Sequence, residues 1–187
     1  MISAVIRAGG NLEALAVTLA GLVPAVAEGI LRDAVIVDDG TVPGVQDLAE
    51  AAGAAYVAVN GDDTLGEDAM VDDALGGGPW RAGAGVVKGP WFLLLAAGDL
   101  PGPNWIPALE RFIRRARGDG AAPDIALFPG ADAGGLRGLA GALATRVTRR
   151  HALVAGMIVP RSVIQKGDAG GARLQRLSVK LERHADR

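Results

Sequence analysis

The sequence predicts a three-layer α/β fold in which a mostly parallel sheet lies between two layers of helices. Apolar runs at residues 2–7, 34–37 and 54–59 predict strands, and apolar residues at helical spacing fill 12–24 and 43–53 between them. Strands that alternate with helices form parallel sheets with right-handed crossovers. The length of 187 residues predicts a single domain with a sizeable core.

The later elements follow from the same patterns. The run at 91–96 predicts the central strand, 104–117 a helix, and 124–128 and 153–159 two more strands. An acidic stretch at 60–75 contains a capping box of Thr64 and Glu67 and predicts a short helix. Further helices are predicted at 80–88, 136–150 and 172–184.

Composition excludes several classes of protein. The chain has no Cys and two His, which excludes disulfides, thiolate metal sites and a His-rich metal site. No apolar run approaches the roughly 20 residues of a membrane-spanning helix, and no basic segment followed by an apolar one begins the chain. We therefore expect a cytoplasmic protein.

Charge is distributed unevenly along the chain. Residues 1–100 hold four basic and fourteen acidic side chains, a net charge of −10, whereas 101–187 hold fifteen basic and seven acidic ones, a net charge of +8. This asymmetry indicates either an acidic site facing cations and a basic face meeting anions, or two solvated faces of one fold. Aromatic residues make up 4% of the chain, too few for base stacking, so we expect no nucleic-acid partner.

The predicted helix at 172–184 is basic and amphipathic. Its apolar stripe would meet an anionic membrane surface or a protein partner, which could place the protein at the inner face of the membrane; the alternative is that the stripe packs on the sheet. The stripe consists of Leu174, Leu177 and Leu181, and the basic residues around it are Arg173, Arg176, Lys180 and Arg183.

Acidic residues follow two of the predicted strands. Asp38 and Asp39 come after the second strand, and Asp99 follows the strand at 91–96. Ligands of open parallel sheets bind beyond the carboxyl ends of the strands, where carboxylates accept from ribose or hold a cation that bridges phosphates. The alternative is turn chemistry, since Asp-Gly sequences form turns. No G-x-G-x-x-G, P-loop or G-x-S-x-G motif is present.

Two blocks of sequence resemble the family 2 glycosyltransferases, which bind nucleotide sugars and have the GT-A fold. V-I-V-D-D-G-T at 35–41 is similar to the family's V-I-V-D-D-G-S, and 87–99 is similar to its block that ends in D-x-D. Pro101, Pro103 and Trp105 then match the family's proline-rich turn and Trp. The resemblance covers about residues 1–117 and is greatest to short bacterial members.

The resemblance implies roles for individual residues. Asp38 or Asp39, with Gly40, would contact the uracil or ribose, and Asp99 would hold Mg²⁺ or Mn²⁺ against the diphosphate. Arg7 stands where the family has Pro, and its guanidinium suits a bidentate phosphate contact. Trp105 is the candidate for contacting the sugar or the acceptor.

The sequence also departs from the family. The first acid of D-x-D is Ala97, so the motif is degenerate. The family's catalytic base falls near 169–170, which makes Asp168 the candidate base and Asp132 a second one. We thus expect a nucleotide-binding half at 1–100 and a divergent acceptor-side half at 101–187.

Three functions fit these observations. The first is transfer of a sugar from a nucleoside-diphosphate sugar to an unknown acceptor, dependent on Mg²⁺ or Mn²⁺. The second is a catalytically impaired relative that binds a nucleotide or a protein partner. The third is another α/β enzyme, such as a nucleotidyltransferase on the same fold.

Overall fold

A computed structural model of the chain describes residues 1–59, 77–119, 122–130, 152–167 and 169–184. Nine strands and five helices lie within these ranges. The strands are β1 Ile2–Arg7, β2 Leu31–Asp38, β3 Ala55–Ala58, β4 Trp91–Ala96, β5 Asp99–Pro101, β6 Asp124–Leu127, β7 Met157–Pro160, β8 Arg173–Arg176 and β9 Leu181–Arg183. The helices are α1 Leu12–Ala27, α2 Val45–Ala51, α3 Gly77–Val86, α4 Trp105–Arg115 and α5 Arg161–Lys166.

Seven strands form the main sheet in the order β3-β2-β1-β4-β7-β6-β8. Only β7 runs antiparallel to its two neighbours, and every other pair is parallel. Strands β5 and β9 form a separate antiparallel pair. The predicted α/β class with a mostly parallel sheet is confirmed.

Helices cover the sheet, and one glycine sets how closely α3 approaches it. A Cβ added at Gly83 would lie 2.6 Å from Val5 Cγ1 on β1 and 2.7 Å from Val37 Cγ2 on β2. Glycine in a helix normally costs stability relative to alanine. Here it allows the α3 backbone to pack directly on the valines, which explains a glycine-containing helix in the core of the fold.

The predicted helix at 172–184 is wrong, because this segment forms β8 and β9. Its backbone groups are satisfied by other strands: Leu177 N–H donates to Leu127 O, and Leu181 N–H donates to Pro129 O. Leu174 is 47% exposed while Leu177 and Leu181 are buried, so the three do not share one buried stripe. Pairing with distant strands outweighs the helical spacing of the leucines. The segment does not form the amphipathic helix on which the predicted membrane contact was based. Contact of its basic residues with a membrane stays a prediction.

Other boundaries differ less. Helix α1 continues three residues beyond Pro24 and begins at an N-cap, Asn11, whose side chain accepts from Ala14 N–H. The short elements β5 and α5 were not predicted. The predicted helices at 60–75 and 136–150 lie outside the described residues. Within the part of the chain that the structure describes, no helix has both the length and the apolar character needed to cross a membrane.

Arg161, the first residue of α5, binds the carboxyl-terminal end of α3. Its Nη1 donates to Ala84 O at 3.3 Å, its Nη2 to Val87 O at 2.7 Å, and its Nε to Gly89 O at 3.2 Å. The guanidinium carbon also lies 4.8 Å from the ring centre of Phe92. A cation that caps helix carbonyls and stacks on a core ring fixes α3 to the sheet.

Replacing Arg161 with Met should lower the free energy of unfolding by about 2–4 kcal/mol, because three partly buried carbonyls lose a charged donor. Urea denaturation followed by circular dichroism measures the change. Lys166→Met also replaces a basic side chain with Met, at an exposed position of the same helix. It should lower the free energy of unfolding by less than about 0.5 kcal/mol. Equal losses in the two variants would contradict this role for Arg161.

Candidate functional site

The candidate site lies where β1, β2 and β4 end at the same edge of the sheet. Arg7 at the end of β1 is the register partner of Val37 on β2 and of Ala96 on β4. Neighbouring strands are about 4.8 Å apart, so the residues after them are close together. The structure therefore brings Arg7, Asp38, Asp39, Gly40 and Asp99 to one edge, where ligands of open α/β sheets bind.

Asp38 shapes the loop after β2. It is only 5% exposed, its Oδ1 accepts from Gly40 N–H at 2.9 Å, and its Oδ2 accepts from the Tyr56 hydroxyl at 2.9 Å. The same hydrogen bond raises the pKa of Tyr56. With both oxygens used inside the fold, Asp38 holds the loop in place instead of offering an open acceptor.

Asp39 is the exposed carboxylate of the same loop. Its Oδ1 accepts from the Thr41 hydroxyl at 2.6 Å and from Thr41 N–H at 3.1 Å. The Thr41 hydroxyl lowers the pKa of Asp39 below its ordinary value of 3.8, and the positive charge of Arg7 acts in the same direction. Asp39 therefore presents an ionised acceptor to solvent at the edge of the sheet.

Arg7 supplies positive charge beside that acceptor. Its guanidinium carbon lies 5.6 Å from the ring centre of Trp80. Trp80 is buried and donates from Nε1 to Leu153 O at 3.1 Å, so the ring is fixed. The contact with this fixed ring holds the Arg7 cation in position.

Asp99 begins β5 and is fully buried, at 0% exposure. Its Oδ2 accepts from Ala96 N–H at 2.8 Å and its Oδ1 accepts from Arg183 Nε at 3.0 Å, while Arg183 Nη2 forms an ion pair with Oδ1 at 2.9 Å. Asp99 and Arg183 are register partners across β5 and β9. The carboxylate is thus paired with a cation from the chain itself.

The turn before Asp99 requires glycine. Gly98 has φ of +90°, and an added Cβ would lie 2.8 Å from His184 O. Its N–H donates to Thr18 Oγ1 and Ala14 O, and its carbonyl accepts from His184 N–H. These contacts join α1, the end of β4 and the end of β9 around the buried carboxylate.

The described residues at this edge do not fit a divalent cation. Mg²⁺ requires near-octahedral oxygen ligands at about 2.1 Å. Ala97 offers no side-chain oxygen, and the Oδ1 of Asp99 faces a guanidinium. Among the described residues, no group of three or more His, Asp and Glu is arranged to hold a metal.

Of the remaining predicted site residues, the structure describes Trp105 alone. Trp105 begins α4 and is 6% exposed within the hydrophobic core, and its contact with the sugar or the acceptor stays a prediction. Asp168 and Asp132 lie outside the described residues, and their roles remain predictions.

A cleft of about 490 Å³ opens beside β5 and β9. Its lining is mixed, with apolar residues beside polar and charged ones, and Glu182 in the lining is the residue that precedes Arg183. Its lining includes Asn104, Arg111, Ser178, Lys180 and Glu182.

Three residues of the site were not predicted from the sequence: Thr41, Tyr56 and Arg183. Thr41 had a usable local signal, because Asp side chains commonly bond backbone two residues further on. Tyr56 and Arg183 reach their partners across 18 and 84 residues, and no local pattern indicates such contacts.

Comparison with known proteins identifies the fold. No family model matches the chain, and no curated protein sequence matches it. Glucosyl-3-phosphoglycerate synthase from Mycobacterium tuberculosis, in complex with phosphoglyceric acid, aligns with a TM-score of 0.59 and 14% identity over 100% of this chain and 73% of that chain. The same enzyme with Mn²⁺ and UDP-glucose gives 0.53 and 14% over 99% and 72%. A structure described as a mycobacterial protein gives 0.57 and 13% over 100% and 68%.

These similarities confirm the predicted fold class. The chain is a single mixed α/β domain with a GT-A-like fold, and its structural neighbours include glucosyl-3-phosphoglycerate synthase solved with UDP-glucose. At this level of identity, the similarity establishes the fold.

Replacing Thr41 with Val should raise the pKa of Asp39 toward its ordinary value, because the side-chain donor is lost. A lowered pKa contributes stability that is present above the ordinary value and is lost as the pH falls through the lowered one. In the variant, this contribution should therefore be smaller, and its loss should be complete at a higher pH. NMR titration of the Asp39 carboxyl carbon measures the midpoint, and Thr41→Ser should keep it low. Equal midpoints in all three proteins would contradict the assignment.

Proposed function

We propose that the chain binds the nucleotide of a nucleoside-diphosphate sugar at the carboxyl edge of the sheet and acts as a glycosyltransferase. One observation carries this proposal: Arg7 and the loop of Asp38, Asp39 and Gly40 stand on neighbouring strands, so a cation and an exposed carboxylate face the same space. The fold supports it, because M. tuberculosis glucosyl-3-phosphoglycerate synthase, which shares the fold, was solved with UDP and UDP-glucose.

Each residue has a chemical role in the proposed complex. Asp39 accepts hydrogen bonds from a ribose hydroxyl or from the uracil N–H. Asp38 is a positioning residue, since it holds Gly40 and the loop through bonds already made. Arg7 pairs with a phosphate, where a planar guanidinium can donate two parallel hydrogen bonds.

The transfer itself needs a leaving group and a base. The acceptor hydroxyl oxygen attacks C1 of the sugar, the bond between C1 and the diphosphate oxygen breaks, and the nucleoside diphosphate leaves with the electron pair. The hydroxyl proton passes to a base, for which we propose Asp168, with Asp132 as the second candidate. The cleft beside β5 and β9 is the proposed place of the acceptor.

A divalent metal has no assigned step in the proposed reaction. The synthase that shares the fold was solved with Mn²⁺ or Mg²⁺ and UDP. In this chain the acid that would hold such an ion is bonded to Arg183, so we assign no step to a metal.

A second candidate function is a catalytically impaired relative that binds the nucleotide or a protein partner. The D-x-D motif favours it, because Ala97 replaces the first acid and Asp99, the second, is fully buried. Neither position presents a carboxylate to a ligand. The two candidates share the nucleotide site and differ in turnover.

Calorimetry with UDP tests the shared site. We expect saturable binding and a rise in melting temperature, because a ligand bound only by the native state stabilises it. Asp39→Asn should weaken binding about 5- to 10-fold, as expected for the loss of one charged hydrogen bond of about 1–1.4 kcal/mol. Asp47→Asn, at an exposed position on α2, is the matched control and should bind normally. No binding of UDP or any UDP-sugar would contradict the proposal.

Release of UDP from UDP-sugars in the presence of candidate acceptors decides between the two candidates. A transferase releases UDP with an acceptor present, and Asp168→Asn should abolish release while leaving UDP affinity unchanged. UDP binding without release for any donor favours the impaired relative.

A further inference from the structure

We infer that Arg183 takes the place of the divalent cation at this site, so that the nucleoside diphosphate binds without a metal. The inference rests on the proposed nucleotide site and specifies how that site neutralises the diphosphate. It follows from three features of Asp99 and Arg183: their geometry, their charge and their location beside β4.

The geometry places the guanidinium where a metal would bind Asp99. Arg183 Nε donates to Oδ1 at 3.0 Å, and Arg183 Nη2 forms an ion pair with the same oxygen at 2.9 Å. The other oxygen accepts from Ala96 N–H. A metal ion on Oδ1 would have to displace the arginine, because two cations cannot share that approach to one carboxylate oxygen.

The net charge at the motif is the same with Arg183 as with two acids and a divalent cation. Two acids of a complete D-x-D motif and one divalent cation sum to zero. Here Ala97 removes one negative charge, and Arg183 brings one positive charge instead of two, so Asp99 and Arg183 also sum to zero. The net charge of Asp99 and Arg183 therefore equals that of a complete motif with its divalent cation.

The position of Arg183 is fixed by the fold. Arg183 is the register partner of Asp99 in the pair of β5 and β9, and His184 N–H donates to Gly98 O at 2.8 Å beside it. A side chain held from both strands needs little reordering when a ligand binds, which favours binding.

Arg183 also retains donors for a ligand. A guanidinium has five N–H donors, and its planar form suits phosphate oxygens. The Arg183 side chain is 39% exposed although Asp99 is fully buried. No described residue accepts a hydrogen bond from its Nη1. The outward edge of Arg183 can therefore donate to a diphosphate while the inward edge stays on Asp99.

Arg183 and Arg7 would then act on the two phosphates from either side of the end of β4. Arg7 is on the neighbouring strand as the register partner of Ala96, and Ala96 N–H binds Asp99 itself. Two arginines carry two positive charges, the same charge as one divalent cation, and each guanidinium can form a bidentate pair with a phosphate.

The experiment measures UDP affinity by calorimetry in EDTA and in Mn²⁺, and Mn²⁺ affinity alone by electron paramagnetic resonance. The wild-type protein should bind UDP equally, within about twofold, in both solutions, and should show no saturable Mn²⁺ binding at millimolar concentration. Arg183→Gln should weaken UDP at least tenfold in EDTA. Arg176→Gln removes an exposed arginine from β8 and is the matched control with unchanged affinity.

Arg183→Gln leaves a buried carboxylate unpaired, so its fold is checked by circular dichroism. If it does not fold, Asp99→Asn combined with Arg183→Gln removes the buried charge, and the loss of UDP affinity should persist. A tenfold or greater loss of wild-type UDP affinity in EDTA, restored by Mn²⁺, would overturn the inference. If UDP binds in neither solution, the proposed function fails, and saturable Mn²⁺ binding to the wild-type protein would separately overturn the role of Arg183 at Asp99.

Discussion

The site is organised around a buried charge, the carboxylate of Asp99, which cannot remain unpaired. Burying an ionised carboxylate is costly unless hydrogen bonds and an opposite charge compensate it. Ala96 N–H and the Arg183 guanidinium provide both. Because Arg183 comes from β9, this requirement ties the carboxyl-terminal segment to the end of β4 and closes the turn at Gly98 around the acid.

The three acids at the edge of the sheet divide by burial into structural and binding roles. Asp38 and Asp99 are buried, and their oxygens are used by Gly40, Tyr56, Ala96 and Arg183 inside the fold. Asp39 is exposed and remains ionised beside Arg7. An acid with its oxygens bonded fixes the backbone, whereas an exposed one can select a ligand. We therefore propose Asp39 and Arg7 for nucleotide recognition, and Arg7 and Arg183 for compensation of the diphosphate charge.

The sequence predicts the first half of the molecule well, because its patterns are local. Strands β1 and β4 were predicted to the residue, and the polar strand ends at Arg7, Asp38 and Asp99 do meet at one edge. The carboxyl-terminal segment was predicted wrongly as a helix, since its leucines repeat at helical spacing while its hydrogen-bond partners, Leu127 and Pro129, are distant in sequence. The same error concealed Arg183 as the partner of Asp99. Trp105 was a residue type suited to sugar contact, but only packing shows that its ring is in the core.

A crystal structure of the protein with UDP and Mn²⁺, measured at the manganese absorption edge, tests the central claim directly. We predict a diphosphate against Arg7 and Arg183, with Arg183 still on Asp99 and no anomalous peak beside that carboxylate. An anomalous peak between Asp99 and the diphosphate, with Arg183 turned away, would contradict the account.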